Sequence, residues 1–123
     1  MAKKHSPRFV ALCEEVKSRV PEVTVSQVMA MQEAGTPVRM VDVREESEWA
    51  AGHIGGAVHL GKGVIERDVE KTIPDVDAVL VLYCGGGYRS ALAADALHQM
   101  GYHHAVSMEG GWKAWLAAEG PTE

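Results

Sequence analysis

One cysteine of this chain is followed at once by a glycine-rich turn and then by a cation. Cys84 ends an apolar run at residues 78–83, and three glycines, Tyr88, Arg89 and Ser90 follow it. Consecutive glycines allow several backbone N–H groups to converge on one point, which makes an anion-binding nest. A thiol at such a nest is favoured as the thiolate, the nucleophilic form of cysteine. The loop therefore predicts a reactive cysteine that faces an anionic or strongly polarised substrate.

The second cysteine has a different setting. It lies in a stretch whose apolar residues recur at helical spacing, namely Phe9, Val10, Leu12, Cys13 and Val16. A free cysteine on the apolar face of a helix behaves as a small buried hydrophobic residue. We therefore expect Cys13 to be a core residue without chemistry. One buried and one reactive thiol indicate a reducing compartment, and we expect the cytoplasm.

The Cys84 loop must be positioned by helices and strands that alternate along the chain. Apolar runs predict strands at residues 38–43, 57–60, 78–83 and 105–108. Helical spacing and capping residues predict helices at residues 6–20, 25–34, 45–51, 64–71, 89–100 and 111–118. This alternation is typical of an α/β fold with a parallel sheet, which binds ligands at the carboxyl ends of its strands.

Composition excludes several other classes of function. With 12 Lys and Arg against 17 Asp and Glu, the net charge of −5 argues against a nucleic-acid-binding protein. No apolar run is long enough to span a membrane, and the basic start of the chain lacks the apolar stretch of a secretory signal. The pair His103-His104 lacks further ligands at metal-binding spacing, so we expect no metal site.

Three segments together identify a family. Residues 41–57 contain VDVRE and EWAAGHIGGA, residues 84–90 read CGGGYRS, and residues 109–115 read EGGWKAW. In this order the chain resembles the single-domain rhodanese, or sulfurtransferase, family over residues 23–120. The resemblance implies a rhodanese-like α/β domain with a mostly parallel central sheet of about five strands and helices on both faces. Residues 1–22 are then expected to form an N-terminal helical extension.

The resemblance also implies a chemistry. Cys84 would take a sulfane sulfur from thiosulfate, a small sulfur-containing anion, or from a persulfide donor. It would then carry a persulfide and pass the outer sulfur to a thiol, to cyanide or to a protein acceptor. This reaction requires no cofactor and no metal. The residues expected to bind the substrate are Gly85, Gly86, Gly87, Tyr88, Arg89 and Ser90.

Around the loop, four residues of the first segment are expected to support its structure: Asp42, Arg44, Glu48 and His53. Two roles are open for Arg89, which could hold an anionic donor through paired N–H groups or tie the loop to a carboxylate such as Glu48 or Asp42. Because the loop carries no other cation, a persulfide donor is as compatible with it as thiosulfate.

Two alternative functions share parts of this pattern. A sulfur-relay or binding module would carry the same persulfide but turn over little without its partner, and its sequence would look identical. Phosphatases and arsenate reductases of related fold separate their catalytic cysteine and arginine by five residues. Here four residues, 85–88, separate Cys84 from Arg89. The shorter loop makes a smaller cradle, which suits one sulfur atom better than a tetrahedral oxyanion.

Overall fold

A computed structural model describes residues 5–123; residues 1–4, the start of the predicted extension, lie outside the described residues. Helices and strands alternate as the sequence predicts, in the order α1 (Pro7–Lys17), β1 (Glu22–Val23), α2 (Val25–Glu33), β2 (Arg39–Asp42), α3 (Glu46–Ala51), β3 (Val58–His59), α4 (Ile65–Thr72), β4 (Leu80–Tyr83), α5 (Tyr88–Gln99), β5 (Ala105–Met108) and α6 (Gly111–Ala117).

The strands form one parallel sheet in the order β1-β5-β4-β2-β3. Strand β4 lies at the centre, between β2 and β5, and all four of its residues are buried. An apolar strand without polar alternation is typical of this position, because helices cover both faces of a parallel sheet. The predicted α/β fold with about five strands is confirmed.

Alternate side chains of β4 divide the core into two layers. Leu80 and Leu82 pack with residues of α1, α4 and α5, whereas Val81 and Tyr83 pack with residues of α2 and α6. Successive side chains of a strand point to opposite faces, so this single strand anchors both layers. Cys84 follows Tyr83 and belongs to the layer that contains α1 and α5.

Strand β1 has no counterpart among the four apolar runs in the sequence. It consists of Glu22 and Val23, which pair with Ser107 and Met108 of β5. Two residues are too few to show a period of two, and Pro21 directly precedes them. Only the pairing with β5 defines this strand.

Helix α1 packs against α5 and joins the core of the sheet. Cys13 and Val16 are buried, as predicted, whereas Leu12 is 48% exposed. On the outer side Arg19 forms two hydrogen bonds with the Asp95 carboxylate, at 3.0 and 3.2 Å. The boundary of the extension at residue 22 stays a prediction. Across residues 5–123, no helix has the length and apolar character needed to cross a membrane.

Candidate active site

Cys84 stands at the carboxyl end of the central strand. Its side chain is buried, and the N–H of Gly87 donates a hydrogen bond to Sγ at 3.1 Å. Gly87 has a φ of 107°, in the left-handed region, which turns this N–H back towards the sulfur. An N–H donor at this distance stabilises negative charge on sulfur. The convergence of further loop N–H groups on a bound anion stays a prediction.

A pair of buried hydroxyl groups lies on the inner side of the sulfur. Ser90 Oγ is 3.5 Å from Cys84 Sγ and 2.8 Å from Ser107 Oγ, and both serines are fully buried. Ser107 was missed in the sequence, where it is an ordinary residue of a short strand. The register of β5 against β4 places Ser107 opposite Leu82, two residues before Cys84. This pairing, which no local pattern encodes, brings the two hydroxyls together.

Arg89 is tied to a carboxylate, the second of its two predicted roles. Its Nη1 lies 2.7 Å from Glu48 Oε1 and its Nη2 lies 3.2 Å from Oε2, a bidentate pair. The N–H of Glu45 also donates to Glu48 Oε1, at 3.0 Å. Hydrogen bonds from Arg89 hold the pKa of Glu48 down at about 2, against an ordinary 4.5. The positive charge of Arg89 is therefore largely neutralised within the protein.

Asp42 and Arg44 form a buried ion pair at the end of β2. Arg44 Nη2 is 2.7 Å from Asp42 Oδ2 and also donates to the carbonyl of Gly52 at 2.7 Å. The guanidinium lies 4.8 Å from the ring centroid of Trp112 in α6. The pair thus connects β2, the end of α3 and the start of α6, and its support of the Cys84 loop stays a prediction.

His53 lies at the end of α3 and faces Trp49. The two rings are stacked with centroids 3.4 Å apart, and His53 Nδ1 is 3.1 Å from the Trp49 carbonyl oxygen. The other ring nitrogen, Nε2, is 3.8 Å from a carboxylate oxygen of Glu123. His53 does not line the pocket around Cys84. These contacts give His53 a packing role between α3 and the C-terminal residues of the chain.

The first turn of α6 holds the Cys84 loop from outside. The N–H of Trp112 donates to the Cys84 carbonyl oxygen at 2.7 Å, and the N–H of Lys113 donates to that of Gly85 at 3.3 Å. Gly111 permits this approach, because a Cβ there would overlap the Cys84 carbonyl group. Gly110 and Gly111 both have positive φ. The double glycine in the sequence therefore marks a backbone contact with the loop as well as a turn.

A pocket of about 600 Å³ opens beside Cys84. It brings together six of the predicted site residues with four residues that were not predicted, and its lining is His5, Phe9, Glu45, Glu48, Cys84, Gly85, Gly86, Tyr88, Arg89 and Lys113. Gly87 and Ser90 contact the sulfur from outside this lining. Asp42, Arg44 and His53 lie away from it.

Both acidic and basic side chains line this pocket. Glu45, Glu48 and Arg89 contribute charges near the loop, and Lys113 adds a cation for which no ion-pair partner occurs in residues 5–123. In the same part of the chain no group of three or more His, Cys, Asp or Glu side chains could hold a metal ion. The site can thus present a sulfur nucleophile to a polar substrate, with one unpaired ammonium group nearby.

Comparisons of the sequence show which known proteins this chain is similar to. The chain is 33% identical over 93 residues to the probable adenylyltransferase/sulfurtransferase MoeZ of Mycobacterium tuberculosis, covering 76% of this chain and 24% of MoeZ. The chain thus spans about a quarter of the length of that relative. It is 33% identical over 101 residues to the thiosulfate sulfurtransferase GlpE of Shewanella oneidensis, covering 82% of this chain and 97% of GlpE.

A solved structure from Rhodopseudomonas palustris, of a protein of unknown function named as a possible tyrosine phosphatase, is also similar. It has a TM-score of 0.86 and 30% identity, with 100% of this chain and 99% of that chain covered. The family model described as the rhodanese-like domain matches residues 24–118, which include all three sequence segments. This chain therefore belongs to the rhodanese-like domain family.

Proposed function

We propose that this protein is a sulfurtransferase that carries sulfane sulfur as a persulfide on Cys84. One observation carries the proposal: the Cys84 sulfur lies at a 600 Å³ pocket with the Gly87 N–H only 3.1 Å away. Membership of the family and the similarity to GlpE support sulfurtransferase activity in general. The identity of the residues that perform it is part of the proposal.

The first step loads the cysteine. The Cys84 thiolate attacks the sulfane sulfur of the donor, a new S–S bond forms, and the donor's own bond to that sulfur breaks. With thiosulfate, sulfite leaves with the electron pair of the broken bond and the cysteine becomes a persulfide anion. The N–H of Gly87 and the Ser90 hydroxyl, 3.5 Å from Sγ, stabilise the charge at the sulfur through both states.

The second step unloads it. A nucleophilic acceptor, such as a thiolate or cyanide, attacks the outer sulfur of the persulfide. The Cys84 S–S bond breaks, its electron pair returns to Cys84 Sγ, and the acceptor leaves as a persulfide or thiocyanate. Splitting one transfer into two displacements at the same sulfur is covalent catalysis. After both steps Cys84 has returned to its thiolate, so the complete cycle leaves the protein neither oxidised nor reduced.

The charges around the pocket determine which donors it can bind. Arg89 is neutralised by Glu48, so Lys113 is the cation best placed to meet an anionic donor. This arrangement serves a singly charged persulfide as well as thiosulfate, and both donor classes belong to the proposal. The proposal also includes a thiol or protein acceptor. It places the protein in the cytoplasm, because the chemistry requires reduced Cys84.

A relay module is the second candidate. It is favoured by the match to a quarter of MoeZ, which shows that such a domain occurs as part of a longer chain. A relay would load sulfur on Cys84 but release it efficiently only to its partner. A phosphatase is disfavoured, because Arg89 is engaged with Glu48 and the loop has four residues between Cys84 and Arg89.

The test is the intact mass of the reduced protein after exposure to thiosulfate, or to a persulfide donor, and removal of excess reagent. We expect one added sulfur atom in the wild type and in Cys13→Ala, and none in Cys84→Ala. Cys13 is a matched control, because it is the other free cysteine, it does not line the pocket, and burial raises the pKa of its thiol. Cyanide should remove the added sulfur. Absence of the adduct with both donors would contradict the proposal.

Turnover separates the two candidates. A stand-alone sulfurtransferase should produce thiocyanate or a small persulfide over many cycles for each Cys84. A relay module should give one sulfur per cysteine and then stop until a protein acceptor is added.

A further inference from the structure

Phe9 of the N-terminal helix and one residue just before that helix line the candidate active site. Phe9, in α1, and His5, just before it, form a three-ring cluster with Tyr88 of the Cys84 loop. The Phe9 and Tyr88 centroids are 5.8 Å apart, those of His5 and Tyr88 4.9 Å, and those of His5 and Phe9 5.3 Å. Both pairs that involve Tyr88 meet edge to face, the preferred geometry for aromatic rings. The cluster forms one aromatic wall of the pocket.

Contacts along α1 keep this wall in place. The Cys13 thiol lies 4.0 Å from the carbonyl oxygen of Tyr88, and the Lys17 ammonium lies 4.5 Å from the Tyr88 ring centroid. Farther along the chain, Arg19 is bonded to Asp95 of α5. Because these contacts are all made within the protein, they hold the aromatic wall in position beside the pocket. Prior organisation of this kind lowers the cost of binding a substrate.

The size of the pocket exceeds what an inorganic sulfur anion needs. Its 600 Å³ lie within the range of roughly 300–1,000 Å³ that small organic molecules occupy. Thiosulfate, with two sulfur and three oxygen atoms, would fill a small part of it and would leave the rings unused. Phe9 is half-buried, so part of its apolar ring remains available to a ligand. An aromatic ligand ring would find edge-to-face partners there.

We propose that Phe9, with His5, is a specificity-determining residue that selects a small organic thiol bearing an aromatic ring as the sulfur acceptor. This inference rests on the proposed function, because it assigns the acceptor of the Cys84 persulfide. The ring packs against the Phe9 wall while the acceptor thiolate attacks the outer sulfur of the persulfide. The Cys84 S–S bond breaks, its electron pair returns to Cys84 Sγ, and the acceptor leaves as an aryl-bearing persulfide.

The first experiment compares two acceptors in steady-state kinetics, 2-phenylethanethiol and cyanide, with thiosulfate or a persulfide as donor. In Phe9→Ala we expect KM for 2-phenylethanethiol to rise about five- to tenfold, the range for loss of one aromatic contact with its buried area. The KM for cyanide should change less than about twofold, because cyanide has no ring to contact Phe9. Phe9→Tyr, which retains the ring, should behave as the wild type. Leu12→Ala is the matched control, because Leu12 lies on the same helix but is exposed to solvent.

A structural role of Phe9 would give a different pattern. If Phe9 only stabilised the loop, Phe9→Ala would lower kcat for both acceptors in parallel, and the specificity proposal would be overturned. Equal KM values for 2-phenylethanethiol in wild type and Phe9→Ala would overturn the specificity proposal as well.

A second experiment needs no sulfur transfer. Iodoacetamide and N-benzyl iodoacetamide carry the same reactive group, and their rates of alkylation are read on the Cys84 peptide. In the wild type we expect the benzyl reagent to alkylate Cys84 faster than iodoacetamide does. In Phe9→Ala this rate advantage should be lost. This ratio tests the aromatic wall even where no persulfide forms on Cys84, so failure of the proposed function and failure of the wall are distinguishable. An unchanged ratio refutes the wall.

Discussion

The guanidinium of Arg89 donates two parallel hydrogen bonds to the carboxylate of Glu48, from Nη1 to Oε1 at 2.7 Å and from Nη2 to Oε2 at 3.2 Å. The contact joins the helix that follows the Cys84 loop to the first turn of α3, two segments 41 residues apart. It holds the loop in place and at the same time removes most of the positive charge that Arg89 could offer an anion. Glu48 therefore influences both the structure and the electrostatics of the site.

Replacing Glu48 by glutamine should strengthen the binding of an anionic donor. The substitution removes one negative charge beside the pocket and releases the charge of Arg89. We expect KM for thiosulfate to fall about fivefold, equivalent to about 1 kcal/mol, a typical size for one charge near a protein surface. Glu46→Gln is the control, because Glu46 is exposed in the same helix turn and lies outside this pocket. A higher or unchanged KM in Glu48→Gln would contradict this electrostatic role of Glu48.

The same ion pair predicts how stability depends on pH. The pKa of Glu48 is about 2 in the folded protein, below its ordinary 4.5, so the pair stabilises the fold fully above about pH 5. This contribution is lost as the pH falls from 4.5 towards 2. Because the Glu48 side chain is 36% exposed, we expect only about 1 kcal/mol. Urea unfolding at pH 6 and pH 3 should show that Glu48→Gln is less stable than wild type at pH 6, with a smaller difference at pH 3. A difference independent of pH would contradict the assignment.

Gly111→Ala should disturb the Cys84 loop severely. The added Cβ would overlap the Cys84 carbonyl group, and the φ of +52° at Gly111 is unfavourable for alanine. We expect a loss of at least about 2 kcal/mol in the free energy of unfolding and at least about a tenfold loss of sulfur transfer per folded molecule. Gly63→Ala is the matched control, because a Cβ there meets no atom within 4 Å. Normal transfer by Gly111→Ala would mean that α6 does not position the loop.

Asp42→Ala should lower stability more than activity. It would leave the Arg44 guanidinium buried without its carboxylate partner, a change that costs about 3–5 kcal/mol in buried pairs. We expect denaturant unfolding at correspondingly lower concentration and near-normal turnover for each folded molecule. The folded fraction is measured by circular dichroism before the kinetics. A loss of turnover in fully folded protein would instead place Asp42 in the chemistry.

Local sequence determined most of the elements and predicted Cys84 as the nucleophile. Val and Leu in an unbroken run predicted the buried strand β4, and the glycines after Cys84 predicted the turn that follows it. The Thr24–Gln27 capping box, present in the structure, likewise depends on residues three apart. Such features are readable because each depends on near neighbours in the chain. The family resemblance was readable for the same reason, since its motifs are short and contiguous.

Tertiary structure decided the surroundings of the sulfur. Ser107 reaches the site through the register of β5, Lys113 through the docking of α6, and Phe9 through the packing of α1 on α5. None of these residues stands out locally, because a serine, a lysine or a phenylalanine in an amphipathic segment has many ordinary positions. Even the choice between the two roles of Arg89 depended on where α3 places Glu48. Contacts between distant segments follow from packing, and packing is a property of the whole chain.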